Sequence, residues 1–170
     1  MKRLILLRHA KAERRAPSGE DYDRDLTDRG LVDAQIMGKV LADKGIIPDL
    51  ALVSGAVRTR STWAALAANL PTARMEIDED LYNAPAMALI AAAQDHEDAD
   101  CVIVVAHNPG LHEAAIFLLS HSAPEDASTG RISLGMGMPT ATAAVFDLSE
   151  ETPRLEAWLL ARDFGGGAGE

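Results

Sequence analysis

Three short groups of residues carry side chains that can bind a phosphate group. Arg8 and His9 stand side by side near the start of the chain, and Arg58 and His107 lie further along it. A guanidinium group matches a tetrahedral anion in charge and in bidentate hydrogen-bond geometry. If the fold brings these four side chains together, they form a pocket for a phosphate dianion.

Each group follows a run of aliphatic residues that is typical of a fully buried strand. The runs cover residues 4–7, 50–53 and 101–105. In an α/β sheet, ligands bind where parallel strands end and the next helix begins. The three groups are therefore expected to meet at one edge of the sheet.

Helical patterns between these runs, with a weak strand near 75–77 and two closing strands over 141–146 and 155–160, predict an α/β fold. We expect a three-layer α/β/α sandwich with a mainly parallel sheet, formed by a single domain over residues 1–164, and a disordered tail over 165–170. Two long loops are predicted over 10–26 and 121–139. The predicted helices cover 28–44 after the cap Thr27, a segment between the cap Ser54 and Pro71, residues 85–94, and a segment starting at Pro109 after the cap Asn108.

The composition restricts the class of partner. The 170 residues include 26 Asp and Glu against 16 Lys and Arg, a net charge of −10, so neither nucleic acid nor an anionic membrane surface is an expected partner. The single cysteine, Cys101, suits a reducing compartment. The longest apolar run has eight residues, 86–93, and no signal-peptide pattern opens the chain, so a cytoplasmic location is expected.

The motifs, in their order and placement, resemble those of the histidine phosphatase superfamily, whose fold is phosphoglycerate mutase-like. Within it the chain is most similar to the small bacterial phosphohistidine phosphatases, and the resemblance covers roughly residues 2 to 160. The motifs that carry it are Arg8-His9-Ala10-Lys11-Ala12, Arg24-Asp25-Leu26-Thr27, Ser54-x-x-x-Arg58-Thr59-x-x-Thr62 and His107-Asn108-Pro109.

The resemblance implies a role for each matched residue. His9 is the expected nucleophile, which becomes a phosphohistidine, while Arg8 and Arg58 hold the phosphoryl oxygens and His107 completes the pocket. Arg24 is a further candidate phosphate contact, and its alternative is a salt bridge to Asp23 or Asp28. Ser54 and Asn108 are further candidates for binding the substrate, and helix capping is the alternative for both.

The chain departs from the superfamily pattern at the acid. Members that act on phosphate esters usually carry a carboxylic acid after the third strand, where Asn83 stands in this chain. Glu79 or Asp80 is a candidate acid in its place. A phosphohistidine needs less help, because its leaving group departs as imidazole rather than as an alkoxide.

The sequence thus predicts a metal-independent phosphatase without a cofactor, acting through His9 on phosphohistidine in a signalling protein. No His-Glu-x-x-His pattern or paired cysteines indicate a metal site. Two alternatives stay open. One is a broad phosphomonoesterase of small phosphorylated molecules that uses Glu79 or Asp80 as its acid. The other is a phosphohistidine-binding module without catalysis.

Overall fold

A computed structural model describes residues 1–70, 73–122, 135 and 137–167 of the chain. Within these residues, six strands form one sheet in the order β3-β2-β4-β1-β5-β6. The first four strands along the chain are parallel, β5 is antiparallel to both of its neighbours, and the predicted mainly parallel sheet is confirmed. The strands are β1 (Arg3–Arg8), β2 (Leu50–Ser54), β3 (Arg74–Asp78), β4 (Cys101–Ala106), β5 (Thr142–Asp147) and β6 (Arg154–Leu160).

Helices cover both faces of the sheet, as predicted for three layers. Alternate residues of β1 point to opposite faces, so Ile5 and Leu7 pack with α1 and α2, and Leu4 and Leu6 pack with α3 and α4. None of the helices in the described part of the chain is long and apolar enough to cross a membrane. The helices are α1 (Asp28–Asp43), α2 (Val57–Ala67), α3 (Ala86–Gln94) and α4 (Gly110–Ser120), with 3-10 turns at Asp21–Asp23, Glu79–Leu81 and Ala161–Phe164.

One of three predicted helix caps is confirmed and two are wrong. The Thr27 side chain accepts a hydrogen bond from the Gly30 amide and caps α1. Ser54, however, is the last residue of β2, and α2 begins after Ala56 without a side-chain cap. Helix α4 begins at Gly110, with Pro109 at the cap position, so Asn108 does not cap it. The side chains of Ser54 and Asn108 bond to other partners, described below.

Described residues of the two predicted loops and of the predicted tail make contacts within the folded protein. The first loop contains a 3-10 turn and a bridge between Ala12 and Leu26. Most of the second loop, residues 123–134 and 136, lies outside the described residues, but Met138 is buried in the core. In the tail that was predicted to be disordered, the Gly167 amide donates to Asp33 Oδ1 at 2.8 Å. Residues 168–170 lie outside the described residues.

Candidate active site

A polar cavity of about 300 Å³ lies where strands β1, β2 and β4 end, and its lining includes Arg8, His9, Arg58 and His107. The three predicted groups therefore meet at one edge of the sheet. A larger groove of about 780 Å³, lined by apolar residues such as Met87 and Phe117, lies beside α3 and α4. That groove contains none of these four residues. The smaller cavity is the candidate active site because it holds the groups that can bind and attack a phosphoryl group.

His9 is held as a neutral imidazole at the floor of this cavity. Its side chain is buried, and Nδ1 lies 2.8 Å from the carbonyl oxygen of Ala10. A carbonyl only accepts, so Nδ1 carries the proton and Nε2 keeps its lone pair. Burial and, to a smaller extent, the positive charges of Arg58 and Arg8 together lower the pKa of His9 to about 3, against the opposing hydrogen bond to Ala10. Nε2 is therefore available as a nucleophile at neutral pH.

His107 has the opposite tautomer. An Arg58 Nη2–H donates to His107 Nδ1 at 3.2 Å, so His107 carries its proton on Nε2, which donates to Ser54 Oγ at 2.8 Å. Burial and the nearby charge of Arg58 together lower the pKa of His107 to about 4. Ser54 is completely buried beneath this ring. The structure thus gives Ser54 a contact with His107 in place of the predicted helix cap.

Arg8 and Asn108 are joined through the backbone of Met138. Arg8 Nη1 and Asn108 Nδ2 each donate to the Met138 carbonyl oxygen at 2.9 Å. This contact explains why Asn108 does not cap α4, since its amide group faces the chain that leads into β5. It also fixes the orientation of the amide, because the nitrogen must face the carbonyl and Oδ1 is directed elsewhere.

Thr62, in the second turn of α2, connects that helix to the nucleophile. Its Oγ1 donates to the Arg58 carbonyl at 2.6 Å and accepts from the Ala10 amide at 3.0 Å. The backbone next to His9 is thereby attached to the same helix turn that carries Arg58. These two hydrogen bonds of Thr62 are the structural reason for the spacing of Arg58 and Thr62 in the motif.

A turn that the sequence did not predict lies beside the cavity. The 3-10 turn at Asp21–Asp23, here called the Asp21 turn, places the Asp21 carboxylate 3.0 Å from Arg58 Nη2 and 2.8 Å from the Tyr82 hydroxyl. Arg24 lines the cavity and pairs with Asp21, at 2.8 Å, rather than with Asp23 or Asp28. The i, i+3 spacing of Asp21 and Arg24 was the available signal for this pair.

Asn83 lines the cavity, and the two candidate acids do not. Asn83 adopts a left-handed backbone conformation, with φ of 53°, which asparagine tolerates better than most residues. Glu79 is exposed and accepts a hydrogen bond from the Tyr22 hydroxyl. Asp80 is also exposed. An uncharged amide, and not a carboxyl group, therefore occupies this part of the cavity wall.

Several buried polar atoms at the cavity have no hydrogen-bond partner within the described residues. They are Arg58 Nε, Asn108 Oδ1 and Thr140 Oγ1, and all three residues line the cavity. Leaving a buried polar group without a partner costs about 1–3 kcal/mol, so their concentration here indicates a site that is completed by a polar ligand or water. Among the described residues, no cluster of three or more His, Cys, Asp or Glu side chains could hold a metal ion.

Comparison with known proteins identifies the family. Residues 4–85 match the model of the histidine phosphatase superfamily (branch 1). The fold is similar to that of a candidate phosphohistidine phosphatase, SixA, from Agrobacterium tumefaciens, with a TM-score of 0.82, 30% identity and coverage of 93% of this chain and 97% of that one. A structure of the protein histidine phosphatase SixA complexed with tungstate gives a TM-score of 0.74 at 19% identity, covering 95% and 98% of the two chains.

An uncharacterized chloroplastic protein of Arabidopsis thaliana is 32% identical in an alignment 128 positions long, which covers 69% of this chain and 59% of that protein. The chain therefore spans about three fifths of the length of that relative. The similarity to the Agrobacterium protein, in contrast, extends over nearly the whole of both chains. Together with the family model, it shows that this chain belongs to the histidine phosphatase superfamily.

Proposed function

We propose that this protein is a phosphatase that acts through a covalent phosphohistidine on His9, with phosphohistidine side chains of signalling proteins as its preferred substrates. The observation that carries the proposal is a neutral His9 in a cavity lined by Arg8 and Arg58, with the amide of Asn83 in its wall. The resemblance to the superfamily aligns Asn83 with the acid of the ester hydrolases.

The first step is an in-line displacement at phosphorus. His9 Nε2 forms a bond to phosphorus while the bond between phosphorus and the substrate's ring nitrogen breaks, and the electron pair of that bond leaves with the ring. Arg8 and Arg58 bind the equatorial oxygens, where negative charge is concentrated in the transition state. His107 donates to one of these oxygens from Nδ1 when the charge of the bound phosphoryl group brings a proton onto its ring. Water then attacks the phosphoryl group on His9, which releases inorganic phosphate and regenerates the neutral imidazole.

The wall of the cavity favours a leaving group that needs no general acid. When the second ring nitrogen of a phosphohistidine is protonated, breaking the bond to phosphorus releases the ring as neutral imidazole, whose conjugate acid has a pKa near 6.5. An alkoxide leaving group requires a proton donor in the transition state, and Asn83 cannot supply one. The guanidinium groups of the cavity supply the positive charge, so we expect no requirement for a metal ion.

The test is the ratio of kcat/KM for a phosphohistidine peptide to that for a matched phosphoserine peptide, measured in the presence of a chelator. The proposal predicts a large ratio, and His9→Ala is the blank for both substrates. A ratio near one, with both rates lost in His9→Ala, would instead indicate a broad phosphomonoesterase, and Glu79 and Asp80 would then be changed in turn. Binding of both peptides without turnover would indicate a non-catalytic binding module.

A further inference from the structure

The Asp21 turn places a carboxylate on the guanidinium groups that would bind phosphate. Arg58 Nη2 donates to Asp21 Oδ2 at 3.0 Å, and Arg58 Nη1 donates to the Asp21 carbonyl at 2.7 Å. Arg24 Nε donates to Asp21 Oδ1 at 2.8 Å. Each carboxylate oxygen thus accepts from a different arginine, which is the arrangement that two oxygens of a phosphate would adopt.

This carboxylate remains charged at any working pH. Partial burial opposes ionisation, but the hydrogen bond from Tyr82 and the charges of Arg58 and Arg24 lower the pKa of Asp21 to about 2. Asp21 is therefore an anion beside the site whenever a phosphorylated substrate arrives. Two anions cannot both receive the full set of hydrogen bonds that Arg58 and Arg24 can donate.

The Asp21 turn lies at the rim of the cavity, above a buried floor. The Arg58 side chain is 4% exposed, whereas that of Asp21 is 51% exposed. A half-exposed carboxylate can move away into solvent at small cost, because water replaces its hydrogen bonds. The buried guanidinium group cannot follow, so it stays in place for the incoming phosphate.

We propose that Asp21 is an intramolecular competitor of phosphate for Arg58 and Arg24, and that it sets the affinity of the site for its substrate and for inorganic phosphate. Substrate takes over both guanidinium groups from the carboxylate, and the carboxylate returns to them as the product leaves. The inference rests on the proposed function, because it assumes that the cavity binds phosphate.

The contacts around the Asp21 turn support its return. Tyr82, which donates to Asp21 Oδ2, packs edge-on against Tyr22 with ring centres 5.1 Å apart. The Tyr22 hydroxyl donates to Glu79. These contacts join the Asp21 turn to the segment after β3, so the carboxylate has a defined position to return to once phosphate has gone.

The test is calorimetric titration of the protein with inorganic phosphate, which requires no turnover. Asp21→Asn keeps the size of the side chain and removes its charge, and Asp23→Asn removes one charge from the same turn at a residue that does not line the cavity. We expect Asp21→Asn to lower the Kd for phosphate by about tenfold, the size of one charged hydrogen bond. Asp23→Asn should change it by less than about twofold.

Steady-state inhibition provides a second readout. If Asp21 competes with phosphate, Asp21→Asn should lower the inhibition constant of inorganic phosphate and the KM for substrate together. The value of kcat should not rise, because product leaves more slowly. A role in folding alone would change the melting temperature without changing these constants.

Two results would overturn the inference while leaving the proposed function intact. One is weaker phosphate binding in Asp21→Asn, which would make Asp21 a residue that orients Arg58 for substrate. The other is equal Kd values in the variant and in the unaltered protein. If neither protein binds phosphate or turns over a phosphohistidine peptide, the proposed function fails, and the inference fails with it.

Discussion

At the scale of residues, the two histidines of the cavity differ in which ring nitrogen carries the proton. His9 donates from Nδ1 to a backbone carbonyl and exposes a lone pair on Nε2, whereas His107 accepts at Nδ1 and donates from Nε2 to Ser54. Burial keeps both rings neutral in the absence of a ligand. The first arrangement suits a nucleophile, and the second gives His107 a fixed orientation through its contact with Ser54.

Ser54→Ala tests whether that orientation matters. Removing the hydroxyl leaves His107 Nε2–H without its buried acceptor, so the ring loses one of its two fixed contacts. We expect kcat to fall by about tenfold while KM changes little, because Ser54 is buried and does not line the cavity. Ser54→Thr, which keeps a hydroxyl, should restore part of the activity. An unchanged kcat in Ser54→Ala would contradict a positioning role for Ser54.

Asn83→Asp tests the reason given for the substrate preference. Aspartate tolerates the left-handed backbone at this position about as well as asparagine does, and it places a carboxyl group in the cavity wall. A general acid contributes about 10²–10⁴-fold, so the variant should gain at least tenfold in kcat/KM on an alkyl phosphate when assayed below pH 5. The rate on a phosphohistidine peptide should not gain. Equal changes on both substrates would contradict the leaving-group argument.

The sequence predicts the site residues that belong to motifs at strand ends. It does not predict those whose role depends on how a loop folds. Arg8, His9, Arg58 and His107 were predicted to meet because each lies at or just beyond the end of a strand. Asp21 was not predicted, since its contact with Arg58 is made across 37 positions from within a loop. Single-sequence patterns carry no information about which loop residue folds back onto a distant arginine.

At the scale of elements, α1 and α2 approach closely at Gly38. A Cβ at this position would overlap the backbone carbonyl of Leu66, and backbone atoms cannot move aside without separating the helices. This contact matters for the site, because α2 carries Arg58 and Thr62 and its position depends on α1. Glycine in the middle of a helix costs about 1 kcal/mol relative to alanine, so a packing requirement must outweigh helix propensity here.

Gly38→Ala is therefore expected to destabilise the protein despite its better helix propensity. Forcing extra volume into a packed interface costs up to about 3 kcal/mol, and the upper part of that range applies against a backbone carbonyl, so the cost exceeds the gain of about 1 kcal/mol in propensity. The measurement is the free energy of unfolding from urea titration, with Lys39→Ala on the exposed side of the same helix as the control. A stabilised Gly38→Ala variant would mean that the two helices separate without cost.

The elements themselves followed from hydrophobic patterns, and the two wrong caps show the limit of such patterns. Ser54 and Asn108 are good capping residues just before helices, and the local sequence contains nothing against that role. Their side chains instead bond to His107 and to the Met138 carbonyl, both distant in sequence. Tertiary hydrogen bonds between the ends of different strands outweighed the local preference.

At the scale of the whole molecule, the two buried histidines link stability to pH. The unfolded chain binds a proton at each of them near pH 6.5, while their pKa values in the folded protein are about 3 for His9 and about 4 for His107. Between pH 6.5 and 4 the unfolded state therefore binds more protons than the folded state. Acid favours unfolding across this range, so the stabilising contribution is complete above pH 6.5 and is lost as the pH falls.

The free energy of unfolding should fall by up to about 1.4 kcal/mol per pH unit for each histidine as the pH is lowered from 6.5 to 4. Urea titrations at several pH values measure this slope. His9→Asn removes one of the two protons, so its slope should be reduced by up to half. Equal slopes in the variant and in the unaltered protein would mean that His9 is not buried as a neutral ring.

The distribution of charge over the whole molecule explains how an acidic protein can bind an anion. The net charge of −10 excludes general attraction of polyanions, and the described structure concentrates Arg8, Arg24 and Arg58 in one small cavity. The net charge predicts an acidic surface, and the placement of the motifs predicts where the cationic pocket lies. Neither could give the competing charge of Asp21, which depends on the folded path of the first loop.

The central claim is that His9 becomes phosphorylated during turnover. The most direct measurement is rapid acid-free quenching of the protein with a phosphohistidine peptide or an aryl phosphate, followed by mass spectrometry of the peptide that contains residues 3–14. We predict a phosphoryl group on His9 that is lost in acid and absent from His9→Ala, together with loss of turnover in that variant. Substantial turnover in His9→Ala, or a phosphoryl group on another residue, would contradict the account.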